Sequence, residues 1–447
     1  MIGLRRLEPQ HPASKLAPQG VPVPNGDVLT QYDVALRPDP SRTVLKDFDP
    51  IDFANADNPR TARIVERVIA LDEAEAKRLL TVLTEGLGER HRDLIAVLDA
   101  RFVAVGAACR GHAVSKAKAR LIGASFIEEY SFESAALFNP SIVPLPDQDD
   151  DASIRFALSL RGVGEGHLSS VTFRTGRWTP GAAPKIDPPS AHAATPVIKS
   201  GAADDDVAVV QLSWDAIETP SEAVLFPVLA RHCRGIEDAR FVRFVEDDGE
   251  VCYYATVTAV GDTTTSGELI RARDLSDFSL HPLSGRAAGN KGMALFPRRV
   301  AGRYLMIGRQ DNENLWLSRS DNLLVWDSAE RLLCPENYWE FVQIGNCGSP
   351  IEIDEGWLLL THGVGMARAY SIGACLLDKD DPSKVLARTA LPLLQPSREE
   401  HDGYVPNVVY SCGALVHQRT LLLPYAIADS FTRFASGSVD AILAAMQ

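Results

Sequence analysis

The spacing of apolar residues changes character near residue 126 of this 447-residue chain. Upstream, "LDEAEAKRLLTVL" puts Leu79, Leu80 and Leu83 on one face, behind an Asp72…Glu75 capping-box pattern. "RHRDLIAVLDARF" and "AVSKAKARLIGASF" keep the helical period, so residues 59–125 are predicted as a helical extension. Residues 1–58, rich in proline and aspartate, carry little periodicity and are predicted as an extended arm. Downstream the runs are short and alternating or wholly apolar: "SIRFALSL", "SSVTFRTG", "DVAVVQLSW", "VCYYATVTAV", "RYLMIGRQ", "NLWLSRS" and "GWLLLTHGV". Gly, Asp, Asn and Pro separate them, which predicts many short strands in an all-β sandwich, barrel or propeller. The Pro/Ala/Gly-rich stretch 176–205 is predicted as a long exposed loop.

An internal echo selects among these architectures. "ELIRARDLSDFSLHPL" (268–283) resembles "NLWLSRSDNLLVWDSAERLL" (314–333). A repeat of about 45–50 residues with one four-stranded unit each is the mark of a propeller blade. Residues 126–447 then divide into roughly five blades of about 60 residues. The expected fold is an all-β five-bladed β-propeller with an N-terminal helical extension. The apolar faces within 59–125 exceed what one short bundle buries against a propeller rim, so a homo-oligomer is expected.

Composition narrows the function classes. The apolar fraction of 45% is that of a chain with a full core. The net charge of −14 argues against sequence-independent nucleic-acid binding, which runs on lysine and arginine. No run of 18 apolar residues predicts a membrane helix, and "MIGLRRLEPQHPASKLAPQG" lacks the apolar core of a secretory signal. Seven scattered cysteines without a C-x-x-C pair predict free thiols in a reducing cytoplasm and no zinc site.

Candidate chemistry gathers at strand ends. "RHCRGIEDARFVRF" (231–244) sets Glu237 and Asp238 side by side among Arg231, Arg234 and Arg240, at the mouth of a strand. Similar polar groups beside glycines occur in "FNPSIV" (138–143), "SLRGVGEGH" (159–167), "GNKGMALFP" (289–297), "GRQDNENLW" (308–316), "THGVG" (361–365), "DGYVPNVVYSCG" (402–413) and "YAIADS" (425–430). Converging on a central funnel, such groups would surround one ligand. Trp316 and Trp357 could stack on a sugar ring, although a tryptophan within a strand is more often core.

"GWLLLTHGV", "YSIGACLLDKDDPSKVLART", "GYVPNVVYSCG" and "YAIADS" resemble, in order, the C-terminal half of glycoside hydrolase family 130, which holds β-mannoside phosphorylases and related β-mannosidases. "FNPSIV", "GIEDARF" and "NKGMALFP" resemble its N-terminal half, and the likeness spans roughly 126–435. It implies a five-bladed propeller. It also implies that Asp238, in "EDAR" where the family usually has "EDPR", is the general acid. A carboxylic acid in a partly desolvated pocket suits that role; Glu237 would oppose ionisation of Asp238 and the arginines would favour it. In the phosphorylases the acid is thought to act through a substrate hydroxyl while phosphate attacks C1. The resemblance places Lys291, Arg309, Arg240 and Tyr404 on phosphate, and Asn139, Arg161, Asp311, His362 and Asp429 on sugar. Gly308 departs from the family, many members of which carry a histidine before the arginine.

The resemblance thus implies an inverting mannoside phosphorylase, releasing α-mannose 1-phosphate from β-linked, expectedly β-1,2, mannosides. Inorganic phosphate is the co-substrate, with no other cofactor, no metal, no nucleic acid and no membrane partner. An inverting β-mannosidase with Glu268 or Glu165 as base, or a carbohydrate-binding propeller without catalysis, are the alternatives.

Overall fold

The computed structural model describes residues 28–48, 59–109, 111–148, 152–201, 209–214, 217–272, 277–397 and 403–447. Most of the stretch expected as an arm, 1–27 and 49–58, lies outside the described residues.

Four α-helices fill the described part of 59–124: Pro59–Ile69, Glu73–Gly88, Leu94–Val105 and Lys116–Ala124. The Asp72 carboxylate accepts from the Glu75 amide at 2.8 Å, satisfying one of the free N–H groups of the first turn. Val65, Val105, Ile122 and Phe126 bury together between these helices. No helix among the described residues is long and apolar enough to cross a membrane.

The rest is mostly β, in antiparallel meanders. The first is Ala136–Pro144, Ile154–Val163 and Ser169–Trp178. The second is Gly235–Val245, Val251–Val260, Thr265–Ala272 and Asp277–Pro282. One parallel pair, Gly235 with Ser169, joins these two into a single sheet. The third is Ala294–Leu295, Tyr304–Gly308, Leu315–Ser320 and Ala329–Leu333. The fourth is Gln343–Asn346, Gly356–Val364, Tyr370–Leu377 and Val385–Arg388. The fifth is Val409–Tyr410, Thr420–Ile427 and Phe431–Ser438, completed by Thr30–Leu36 from the other end of the chain. The echoed stretches 268–283 and 314–333 supply the third and fourth strands of consecutive meanders.

Neighbouring meanders bury an apolar cluster between them, and the series closes on itself. Phe173 packs near Phe241 and Phe278 between the first and second, and Phe244, Tyr254, Tyr304 and Trp326 between the second and third. Phe296 meets Trp357 between the third and fourth, and Leu360 and Ile372 join Leu423 and Tyr425 between the fourth and fifth. Leu137, Phe156, Leu422 and Phe434 lie between the fifth and first. A cavity of about 270 Å³ has walls from all five: Val143, Phe241, Pro297, Pro350 and Leu415 among them.

The stretch 176–205 contains strands where a loop was expected. Lys185–Ile186 pairs with Gly176 and Arg177, and Val197–Ser200 pairs with Val210–Ser213. Both are short and largely exposed, so no alternation of apolar residues marks them. The described upstream segment is tied to the sheets by a buried ion group. Glu133 takes Arg42 at 3.0 Å and Arg174 at 2.6 Å, while Arg42 also donates to the Ser190 and Ser221 carbonyls.

Candidate active site

Two bulges aim the central carboxylate. Along Gly235–Val245 the pairing runs Glu237 with Thr258, then Arg240 with Thr256, so Asp238 and Ala239 face one residue. Along Ala136–Pro144 the same slip falls between Phe138 and Ser141. Asp238 and Asn139 both adopt left-handed backbone, at φ 52° and 48°. Asp and Asn tolerate that region better than other non-glycine residues, and bulges of this kind redirect side chains. The redirected pair meets: Asn139 Nδ2 donates to Asp238 Oδ1 at 2.7 Å.

Four cations gather around them. Arg161 donates to Glu237 Oε1 at 2.8 Å and stands 3.6 Å from Asp238. Lys291 donates to the other Glu237 oxygen, also at 2.8 Å. Arg240, 2% exposed, donates to the Tyr410 hydroxyl at 2.6 Å. Arg309 donates to the Gln343 side-chain oxygen at 2.6 Å. Close backbone approach lets Arg309 in. A Cβ on Gly292, whose φ is +89°, would lie 2.7 Å from Arg309 Nε. A Cβ on Gly345 would lie 2.4 Å from the His362 ring and 2.7 Å from Arg309 Cδ.

Charge follows from this packing. Burial alone would raise the Asp238 carboxyl, but Arg161, Arg240, the Asn139 bond and Arg309 together hold it below the usual aspartate value. The arginines therefore win the contest that the sequence left open. Asp429, also left-handed at φ 50°, goes the other way. Burial first, then the Asp238 charge, push it up to about 6, against Arg161 and Arg368. His362 is fully buried, its ring 4.9 Å from that of Tyr410. Burial, Arg309 and Arg240 hold it well below 6.5, so it is neutral at pH 7. Its Nε2 and the Nε atoms of Arg161, Arg240 and Arg309 are buried without a hydrogen-bond partner.

The expected site residues thus divide. Asp238, Asn139, Arg161, Arg240, Lys291, Arg309, His362 and Asp429 come together. Asp311 is engaged elsewhere: it accepts from Asn314 N at 2.8 Å, Glu313 N at 3.1 Å and Asn314 Nδ2 at 2.6 Å. Burial opposes them, yet these bonds pull its carboxyl down to about 2. Tyr404 is 68% exposed, and its hydroxyl faces His167 at 3.5 Å rather than a cation. Trp357 is core, its Nε1 donating to the Lys379 carbonyl. Glu268 is fully buried in an ion trio with Arg231 and His232, and Glu165 is exposed on the turn before Ser169–Trp178. Tyr410, Gln343 and the bridging role of Glu237 were not anticipated. Tyr410 lies inside the quoted "NVVYSCG", but nothing local marks Gln343.

Residues 198–447 match the model of glycoside hydrolase family 130, described as beta-1,4-mannooligosaccharide phosphorylase. A 1,2-beta-oligomannan phosphorylase of Thermoanaerobacter sp. (strain X514) is 37% identical over 202 residues, 44% of this chain and 66% of that one. A beta-1,2-mannobiose phosphorylase of Listeria innocua is 31% identical over 214 residues, 46% of this chain and 58% of that one. The matched stretches thus span between half and about two thirds of these relatives' lengths. The solved beta-1,2-mannobiose phosphorylase from Listeria innocua, in complex with beta-1,2-mannobiose, superposes with a TM-score of 0.51 at 21% identity. That likeness of fold covers 70% of this chain and 92% of the other. With more than half of its length matched by the family model, the chain belongs to glycoside hydrolase family 130.

Proposed function

We propose that this chain is an inverting mannoside phosphorylase, with the five closed meanders as the blades of a five-bladed β-propeller and the cation cluster as its phosphate site. One observation carries the reading. Four cations stand around two carboxylates, Glu237 and the ionised Asp238, and the Nε donors of Arg161, Arg240 and Arg309 are buried without a hydrogen-bond partner. Neutral sugar hydroxyls do not demand so much positive charge, whereas a phosphate dianion does. Asp238 is the acid, Arg309, Lys291 and Arg240 hold phosphate, and Asn139, Arg161, His362 and Asp429 hold the mannosyl unit.

In the reaction a phosphate oxygen forms a bond to C1 as the C1–O glycosidic bond breaks. The proton of Asp238 passes to the leaving oxygen, directly or through a substrate hydroxyl. Asp238 is ionised in the free protein. A dianion drawn to the same arginines opposes that charge and raises its pKa, so phosphate binding helps load the acid. The β-mannosidase alternative needs a base, and the buried ion trio with Arg231 and His232 does not suit Glu268 for it.

Incubation with β-1,2-mannobiose should release mannose 1-phosphate when phosphate is present and release nothing when it is omitted. Free mannose formed at equal rate without phosphate would overturn the reading. The linkage preference, expected to be β-1,2, follows from running β-1,4-mannobiose alongside.

Asp429 gives a pH prediction. An ionised carboxylate accepts two hydroxyl bonds, and this one ionises as pH rises through about 6. The KM for mannoside should fall over that rise and level off above it. Asp429→Asn should raise KM and flatten the dependence. A wild-type KM that is constant from about pH 5 to 7 would remove Asp429 from the sugar site.

A further inference from the structure

We propose that Glu237 makes the anion site selective for a dianion, by acting as a built-in single-charge competitor for Lys291. The proposal rests on the phosphate reading above and adds to it the residue that sets anion choice.

Both Glu237 oxygens are engaged, one by Arg161 Nη2 and one by Lys291 Nζ, each at 2.8 Å. The two partners differ in freedom. Arg161 is held on other sides, its guanidinium 5.1 Å from the Phe138 ring centroid and 3.6 Å from Asp238. Lys291 is a flexible stem with a 43% exposed side chain, and its Glu237 bond is the one that can be exchanged.

An anion entering the cluster must therefore compete for the charge of the Lys291 ammonium with a carboxylate already bound to it. A monoanion offers the same charge as Glu237 and gains nothing by the exchange. A dianion offers twice the attraction at equal distance.

A purely structural ion pair predicts something different. Its loss would loosen Lys291 and weaken every anion alike. Loss of a competitor should strengthen anion binding, and single-charge anions most.

The test is calorimetric titration of the intact protein with inorganic phosphate and with nitrate, at pH values on either side of phosphate's second ionisation. Wild type should bind phosphate with an affinity that falls as the dianion disappears, and should bind nitrate at least tenfold more weakly. Glu237→Gln should bind nitrate about tenfold more tightly than wild type and strengthen phosphate binding by less than that. Glu237→Asp, which keeps the charge, should still reject nitrate. If Glu237→Gln weakens both anions equally, or if nitrate rivals phosphate in wild type, Glu237 is not the selector, although the phosphate site stands. Wild type that binds no phosphate at either pH overturns the phosphate reading and this inference together. Nitrate that rivals phosphate in wild type overturns the proposal even if the variants do not fold.

Discussion

Asp238→Asn should lower turnover by about 10²–10⁴-fold, the span that positioned proton transfer contributes. The substitution is isosteric, and the local structure is built to accept it. Asparagine tolerates the left-handed backbone that the bulge imposes at φ 52°. The amide oxygen can still accept from Asn139 Nδ2, now 2.7 Å from the carboxylate. Only the transferable proton and the negative charge disappear. Removing the charge frees Arg161, Arg240 and Arg309 of a counter-ion, so phosphate should bind at least as well as before. The expected signature is therefore a collapse of kcat with unchanged thermal unfolding and undiminished phosphate affinity by calorimetry. A variant that keeps more than about a tenth of the wild-type rate would show that Asp238 is not the acid.

Local periodicity carried much of the fold. The strand-rich part downstream of residue 126 and the Asp72 cap are readable because alternation and capping act over a few residues. The echo of 268–283 in 314–333 is readable for the same reason, since equivalent strands repeat the same local environment. The pairing of Thr30–Leu36 with Phe431–Ser438 is not readable, because its determinant is a partner some 400 positions away; the Tyr32–Ser436 hydroxyl contact is separated by 404 residues. The site divides along similar lines. Motif likeness brings out residues on the bulged strands, such as Asp238 and Asn139. It says nothing of whether a carboxylate is engaged within its own turn, as Asp311 is, or buried in an ion trio, as Glu268 is. Nor could it decide the ionisation of Asp238, which depends on Arg161 and Arg309 arriving from separate meanders.

Replacing the two candidate phosphate cations should separate phosphorylase from hydrolase. Each charge-assisted contact to a dianion contributes about 1.5–3 kcal/mol. Loss of one should therefore raise the KM for phosphate about 10- to 100-fold, while affinity for the neutral mannoside changes much less. The two variants should not behave alike. Arg309 is fixed by Gln343, by the approach of Gly292 and by the His362 ring beside Gly345, so its donors are already in place before phosphate arrives. Arg309→Ala also relieves the neighbouring positive charge that helps keep His362 neutral. Lys291 is half exposed and its charge is shared with Glu237, so part of its attraction for phosphate is offset by that carboxylate. Arg309→Ala should accordingly fall near the upper end of the range and Lys291→Ala near the lower end. A hydrolase predicts another pattern: rates indifferent to phosphate in the wild type, and defects of either variant confined to sugar turnover. The deciding measurement is initial rate against phosphate concentration for the three proteins. A wild-type rate that stays flat from zero to millimolar phosphate would remove the phosphorylase reading and leave these cations to be explained by the sugar alone.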